Sequence, residues 1–310
     1  MHVLAPPQSL PAAELTGPPG APVVVALGGI SASRHVAGNA HDPSPGWWED
    51  VAGDGRAIDT ARWRLLSFDY LDGGTAPDGG PARLVPTHDQ ADALAALLDT
   101  MEIDRLHALV GASYGGMVAL AFAERYPARV ARLVVIGAAH ESHPMATAVR
   151  SVQRQVVRLG LDAGREADGL AIARGLAMTT YRTAQEFATR FTTTPAAVAD
   201  ADAEFAVEGY LAHHGARFAE SWTAARFLSL SLSTDLHRVD PAAVTVPTLL
   251  VTSADDAIAP AARVRELAGA LAAPSRVATL ESITGHDAFL TEPAQVSRLL
   301  DHALTSPQFP

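Results

Sequence analysis

The sequence predicts an α/β fold, a mostly parallel sheet with helices on both faces and a helical insertion. Three observations predict it. Short apolar runs rich in Val, Leu and Ile recur along the 310 residues. Helical patterns separate them. The alternation breaks once, between residues 136 and 248. Runs that are apolar at every position, rather than at alternate ones, suit parallel strands buried on both faces.

Taken in order, the runs predict strands over residues 23–27, 64–68, 106–110, 132–136, 248–252 and 276–280. Between the second and third, a helix over 87–101 sets Ala91, Leu94, Ala95, Leu97 and Leu98 at helical spacing. A second helix over 115–126 is stopped by Pro127, which can neither donate an N–H nor continue the turn. The interrupted stretch carries helix-compatible patterns without internal proline over 146–159, 166–181, 184–191, 204–215 and 218–232. Lying between two core strands, this block is expected over the carboxyl edge of the sheet as a lid. The chain then divides into a core of residues 1–139 and 241–310 and a lid of 140–240. The Pro-rich amino terminus and the Gly/Pro/Asp loop 72–81 read as mobile surface.

Composition narrows the chemistry. A chain that is 48% hydrophobic can fill a sizeable core. It has no cysteine, so disulfides, thiolate nucleophiles and cysteine-held zinc or iron–sulfur centres are excluded, and covalent catalysis must use oxygen or nitrogen. A net charge of -11 opposes binding to a polyphosphate backbone, and nucleic acid is not an expected partner. No apolar run reaches the roughly 18 residues of a spanning helix, and the first thirty residues lack a basic start followed by an apolar stretch. No membrane partner is expected, and the expected location is cytoplasmic.

One motif carries the chemistry. Gly111-Ala112-Ser113-Tyr114-Gly115 follows a strand and precedes a helix, the setting of a nucleophile elbow, where strand and helix approach too closely for side chains at either glycine. This context predicts the α/β-hydrolase fold, with Ser113 as nucleophile. A serine hydroxyl needs a base, and the base needs an acid to hold its tautomer. His286, in Gly285-His286-Asp287 after the last strand, is the base expected. Asp255 and Asp256 both follow the strand before it, and the spacing of Asp256 from Pro260 favours Asp256. The oxyanion needs two backbone N–H groups: Tyr114, directly after the nucleophile, and Ile30, in the Gly-rich loop after the first strand.

Segments outside these residues extend the picture. "SRHVAG" after the first strand, "GASYGGMVALAFAERYP" at the elbow, "VQRQVV", "MTTYRTAQEFATRF" and "VEGYLAHHGARFAESWTAARFLSLSLSTDLHRV" in the lid, and "GHDAFLTE" near the end give a chain that resembles the homoserine O-acyltransferases. The resemblance covers most of the chain, and its distinctive part is the lid. It implies transfer of an acyl group, acetyl or succinyl, from acyl-CoA to the hydroxyl of L-homoserine through an acyl-serine, in methionine biosynthesis. Its triad falls on Ser113, Asp256 and His286. It further implies that Arg174 holds the acceptor's carboxylate and Asp287 its ammonium, with Tyr181 and Arg154 lining the same pocket. A guanidinium fork and a carboxylate are the pair that a zwitterion calls for. Acyl-CoA enters as co-substrate; no resident cofactor or metal is expected, and a homodimer through lid helices is. Arg34, beside the oxyanion loop, is a candidate partner for a succinyl carboxylate. The chain departs from the family at Gly28, where histidine is usual, at Tyr114, where leucine is usual, and in its shorter length. These departures bear on substrate rather than fold. Serine as acceptor, hydrolysis on the same triad and a catalytically silent binding protein are the competing readings.

Overall fold

The computed structural model describes residues 10–310. Strands β1 (Ala13–Thr16) and β2 (Val23–Leu27) lead to the two-residue strands β3 (Ala52–Gly53) and β4 (Ile58–Asp59) and then to β5 (Arg64–Phe68). Helix α1 (Thr87–Thr100), β6 (Ala108–Ala112), α2 (Tyr114–Arg125) and β7 (Leu133–Ile136) follow. The insertion holds α3 (Pro144–Asp162), α4 (Glu166–Tyr181), α5 (Ala184–Arg190), a hairpin of β8 (Ala197–Ala199) and β9 (Asp202–Glu204), α6 (Ala206–Ala219) and α7 (Ala224–Leu236). The chain returns through β10 (Thr248–Ser253), α8 (Ala261–Ala270), β11 (Ser275–Leu280), the short α9 (Ala288–Thr291) and α10 (Pro293–Thr305).

Seven strands form the main sheet in the order β1-β5-β2-β6-β7-β10-β11. Only β1, on the edge, runs antiparallel, paired with β5. The apolar runs fill both faces. In β2, Val23, Val25 and Leu27 pack into one core while Val24 and Ala26 enter the other. In β7, Leu133 and Val135 alternate with Val134 and Ile136 in the same way. This is the period-2 alternation of a strand with no solvent face, and it explains why every position is apolar. Helix α2 is buried from Tyr114 to Ala123, as an all-apolar helix between sheet and neighbours must be. The lid has its own small core of Val157, Leu170, Ala173, Ala224, Phe227 and Leu228.

The structure corrects the element boundaries where tertiary pairing decides them. Leu106 makes only an isolated bridge with Val130, so β6 begins at Ala108 and reaches Ala112, which carries the ladder to the elbow. Strand β1 lies in the Pro-rich segment read as surface; its four half-buried residues carry little hydrophobic signal because one neighbour, β5, makes the strand. Residues 1–9 of that segment lie outside the described residues. The lid pattern 218–232 belongs to two helices. Residues 220–223 divide them, where the Thr223 hydroxyl accepts the Arg226 N–H at 3.2 Å and starts α7, a cap worth about 1 kcal/mol. Helices α8 and α10 cover the sheet beyond the predicted set. No helix of the described residues is long and apolar enough to cross a membrane.

Candidate active site

Ser113 stands alone between β6 and α2, at φ 54° and ψ -119°. That left-handed conformation is rare for a residue with a side chain, and the packing around it is what holds it. A Cβ on Gly111 would stand 2.2 Å from the Gly115 carbonyl oxygen, and one on Gly115 2.3 Å from that of Leu27. The strand, the helix and β2 therefore meet at backbone distance, which drives the serine out of the turn.

Its partners arrive from two other strand ends. His286 Nε2 lies 2.8 Å from Ser113 Oγ, and His286 Nδ1 lies 2.8 Å from Asp256 Oδ2. The second carboxylate oxygen of Asp256 accepts the N–H groups of Ile258 and Ala259, each at 2.8 Å. Asp255, the competing acid, is exposed. Burial disfavours the charged form of Asp256, but the facing imidazole and the two N–H donors outweigh it and hold its pKa below the usual 3.8. Burial likewise works against imidazolium, yet the Asp256 charge and hydrogen bond, with Asp287 adding to them, raise His286 above 6.5. An ionised carboxylate can only accept, so Nδ1 carries the imidazole proton and Nε2 is free to take that of Ser113.

The glycine-rich loop after β2, where the second oxyanion donor is expected, is braced by its carbonyls. The Gly28 oxygen accepts from Gly115 N–H at 2.9 Å and from the Tyr70 hydroxyl at 2.7 Å. The Gly29 oxygen accepts from Ala32 N–H at 2.9 Å, and peptide planarity turns the Ile30 N–H the opposite way. Tyr114 is the first residue of α2, where the N–H has no partner within the helix. Its side chain points away from the reaction centre: the ring is buried, its hydroxyl lies 2.7 Å from Ser233 Oγ on α7, and burial raises its pKa to about 12. The departure at Tyr114 thus ties elbow to lid. The departure at Gly28 is enforced by Trp47 and Ala32, since a Cβ there would come within 2.9 Å of the Trp47 ring and 2.5 Å of Ala32 Cβ.

Two compartments open from Ser113, and Ile30, Arg174, Tyr181 and His286 border both. The inner one runs under the lid past Met117, Phe218 and Trp222. The outer one runs past Trp47, Asp287 and Phe289. The Arg174 guanidinium lies over the rings of Tyr181 and Phe218, 5.4 and 5.5 Å from their centroids, and forms no ion pair among the described residues. Asp287 is raised by burial, against the pull of Arg182, whose Nε stands 3.0 Å from Oδ2. Arg182 also meets the buried Glu186 at 3.2 Å.

Two expectations are corrected. Arg154 does not line the pocket: it is buried, and its Nη1 donates to Asp235 at 2.6 Å and to Ser231 Oγ at 2.9 Å. Arg150 and Gln153 border the inner compartment instead. Arg34 borders neither compartment; it is exposed and bonded to Asp69 through both side chain and backbone N–H. The sequence reading missed Arg150, Gln153, Arg182 and Trp47 as site residues: Gln153 and Arg182 lie inside the segments "VQRQVV" and "MTTYRTAQEFATRF", beside the residues singled out there, while Arg150 and Trp47 lie outside every segment quoted.

The sequence profile of the family described as alpha/beta hydrolase fold matches residues 22–293. A homoserine O-succinyltransferase of Xanthomonas campestris pv. campestris is 45% identical over 291 residues, covering 94% of this chain and 78% of its own. A homoserine O-acetyltransferase of Thermobifida fusca is 34% identical, with 91% of this chain and 83% of the relative covered. Among solved structures, homoserine O-acetyltransferase from Bacillus anthracis superposes with a TM-score of 0.86 at 21% identity, over 94% of this chain and 91% of that one.

Proposed function

The chain belongs to the homoserine O-acyltransferase family of the α/β-hydrolase fold, and from that premise we propose that it moves an acyl group from acyl-CoA to the hydroxyl of L-homoserine, in methionine biosynthesis. The observation that carries this reading is Arg174, a cation without an ion-pair partner among the described residues, at the border of both compartments, with Asp287 across the outer one.

In the first half-reaction His286 takes the Ser113 proton as Oγ attacks the thioester carbon. The Tyr114 and Ile30 N–H groups receive the oxyanion, at the positive end of α2. Collapse breaks the carbon–sulfur bond, the proton passes from His286 to the leaving thiolate, and Ser113 is left as an ester. Homoserine then binds with its carboxylate on Arg174 and its ammonium beside Asp287, whose charged form the ammonium favours. His286 takes the γ-hydroxyl proton, the new ester bond forms, and the proton returns to Ser113 as its own carbon–oxygen bond breaks. The lid covers this acyl-serine and disfavours water as acceptor. The protein needs no resident cofactor or metal for these steps, and we place them in the cytoplasm, where acyl-CoA is made. The lid helix α3 also presents Met145, Val152 and Leu159 to solvent at seven-residue spacing, which supports a homodimer through the lid.

Arg174→Gln tests the acceptor site. A charged hydrogen bond to a carboxylate is worth enough that KM for homoserine rises about 10-fold or more, and a larger share of turnover goes to water. An unchanged KM and an unchanged partition would remove Arg174 from the acceptor site.

A further inference from the structure

Beneath the inner compartment lies a group of charges that the triad does not use. Asp235, on α7, has a side chain only 6% exposed and accepts from Arg150 Nε at 2.7 Å and from Arg154 Nη1 at 2.6 Å, with the Thr147 hydroxyl at 2.9 Å. Both carboxylate oxygens are therefore spent on two guanidiniums. Neither arginine has another acidic partner among the described residues, so the group keeps one positive charge in excess. A buried charge without a counter-charge is costly, and an apolar acetyl group would leave it unanswered.

The surplus faces the pocket. Arg150 borders the inner compartment, with Nε on Asp235, Nη2 on the Ser142 hydroxyl and Nη1 without an acceptor among the described residues. One turn along α3, Gln153 borders the same space; it is 5% exposed, and its amide makes no hydrogen bond among the described residues. The positive charge of Arg150 is felt at the His286 imidazole. Met117, Ala146, Val149, Phe218 and Phe227 give the same space apolar walls, with the Ser231 and Thr234 hydroxyl side chains also on its border. Arg174 and Asp287 meet only in the outer compartment, so the acceptor's zwitterion and the inner cation serve different ligand groups.

We propose that Arg150, backed by Asp235 and Arg154 and aided by Gln153, binds the distal carboxylate of the acyl donor, so that the enzyme selects the thioester of a short dicarboxylic acid. The acyl carbonyl sits at Ser113, the methylenes cross the apolar walls and the terminal carboxylate meets the guanidinium. This rests on the acyl-transfer reading above and specifies its donor.

The test compares succinyl-CoA with butyryl-CoA, which has the same chain length without the terminal charge, and with acetyl-CoA, reading the rate of acyl-enzyme formation by rapid quench and intact mass. A charge-assisted contact of this kind gives succinyl-CoA an advantage of about 20-fold or more in kcat/KM over butyryl-CoA. Arg150→Met leaves Asp235 and Arg154 as a balanced pair, so the site stays neutral, and the succinyl-to-butyryl ratio falls about 20-fold. Gln153→Leu lowers the same ratio by a smaller factor and checks the assignment independently. Acylation by butyryl-CoA or acetyl-CoA at the succinyl rate overturns the donor assignment alone. Failure of all three thioesters to acylate Ser113 overturns it together with the acyl-transfer reading.

Discussion

Asp256 has both oxygens committed, one to His286 and the other to two backbone N–H groups, and this fixes the tautomer on which the serine depends. The consequence appears in the pH profile. His286 acts as a base only when neutral, and its pKa is raised above 6.5, so acylation falls with decreasing pH through a limb that lies above 6.5. Asp256→Asn removes the charge that raises it, which shifts the limb to lower pH while the maximal rate drops about 10³-fold or more. An unshifted limb measured by stopped-flow acylation would mean that another group sets the base. Ser113 and His286 were legible because each sits in a local pattern of glycine and strand end. Asp256 was separable from Asp255 by its spacing to Pro260. Arg154 and Arg34 were misjudged because Asp235 and Asp69, which hold them, are distant in sequence and nothing local records the pairing. Arg150 went unseen for the same reason, and Gln153 because the packing of α3, rather than any local pattern, turns it to the pocket.

At the scale of elements, helix α3 works on two faces. Ala146, Gln153 and Val157 turn inward, while Met145, Val152 and Leu159 are 65%, 49% and 67% exposed along one stripe. Ile172 of α4, 61% exposed, adds a further apolar residue to the outside of the lid. Leaving such residues in water forgoes about 1.5–3 kcal/mol for each large side chain that a partner could cover. Sedimentation is expected to give a dimer for the native protein and a monomer for Val152→Asp/Leu159→Asp; a native monomer at assay concentration contradicts a dimer through this stripe. The central strands β2, β6 and β7 were legible as elements because burial on both faces leaves an uninterrupted apolar run. The edge strand β1 and the exposed hairpin β8–β9 were not, since strand pairing rather than an apolar pattern creates them. The break before α7 was hidden by a continuous helical pattern and rests on the cap at Thr223.

Across the whole molecule, the sheet supplies the triad from three strand ends and the inserted helices wall the compartments that open from it. Tyr114 links the two, its backbone directly after Ser113 at the proposed oxyanion site and its hydroxyl on Ser233 of α7. The same triad beneath an open surface would serve hydrolysis, so the partition between homoserine and water separates transfer from hydrolysis. The most direct measurement is a chase. Ser113 is acylated with succinyl-CoA, excess thioester is removed, and the intact mass is followed by rapid quench with and without homoserine. Transfer requires that homoserine discharge the acyl-enzyme at least about 100-fold faster than buffer alone, the scale set by excluding water and orienting the acceptor, with the mass recovered as O-acylhomoserine. Discharge at one rate in both arms, with free acid as the product, would contradict it and identify the protein as a hydrolase.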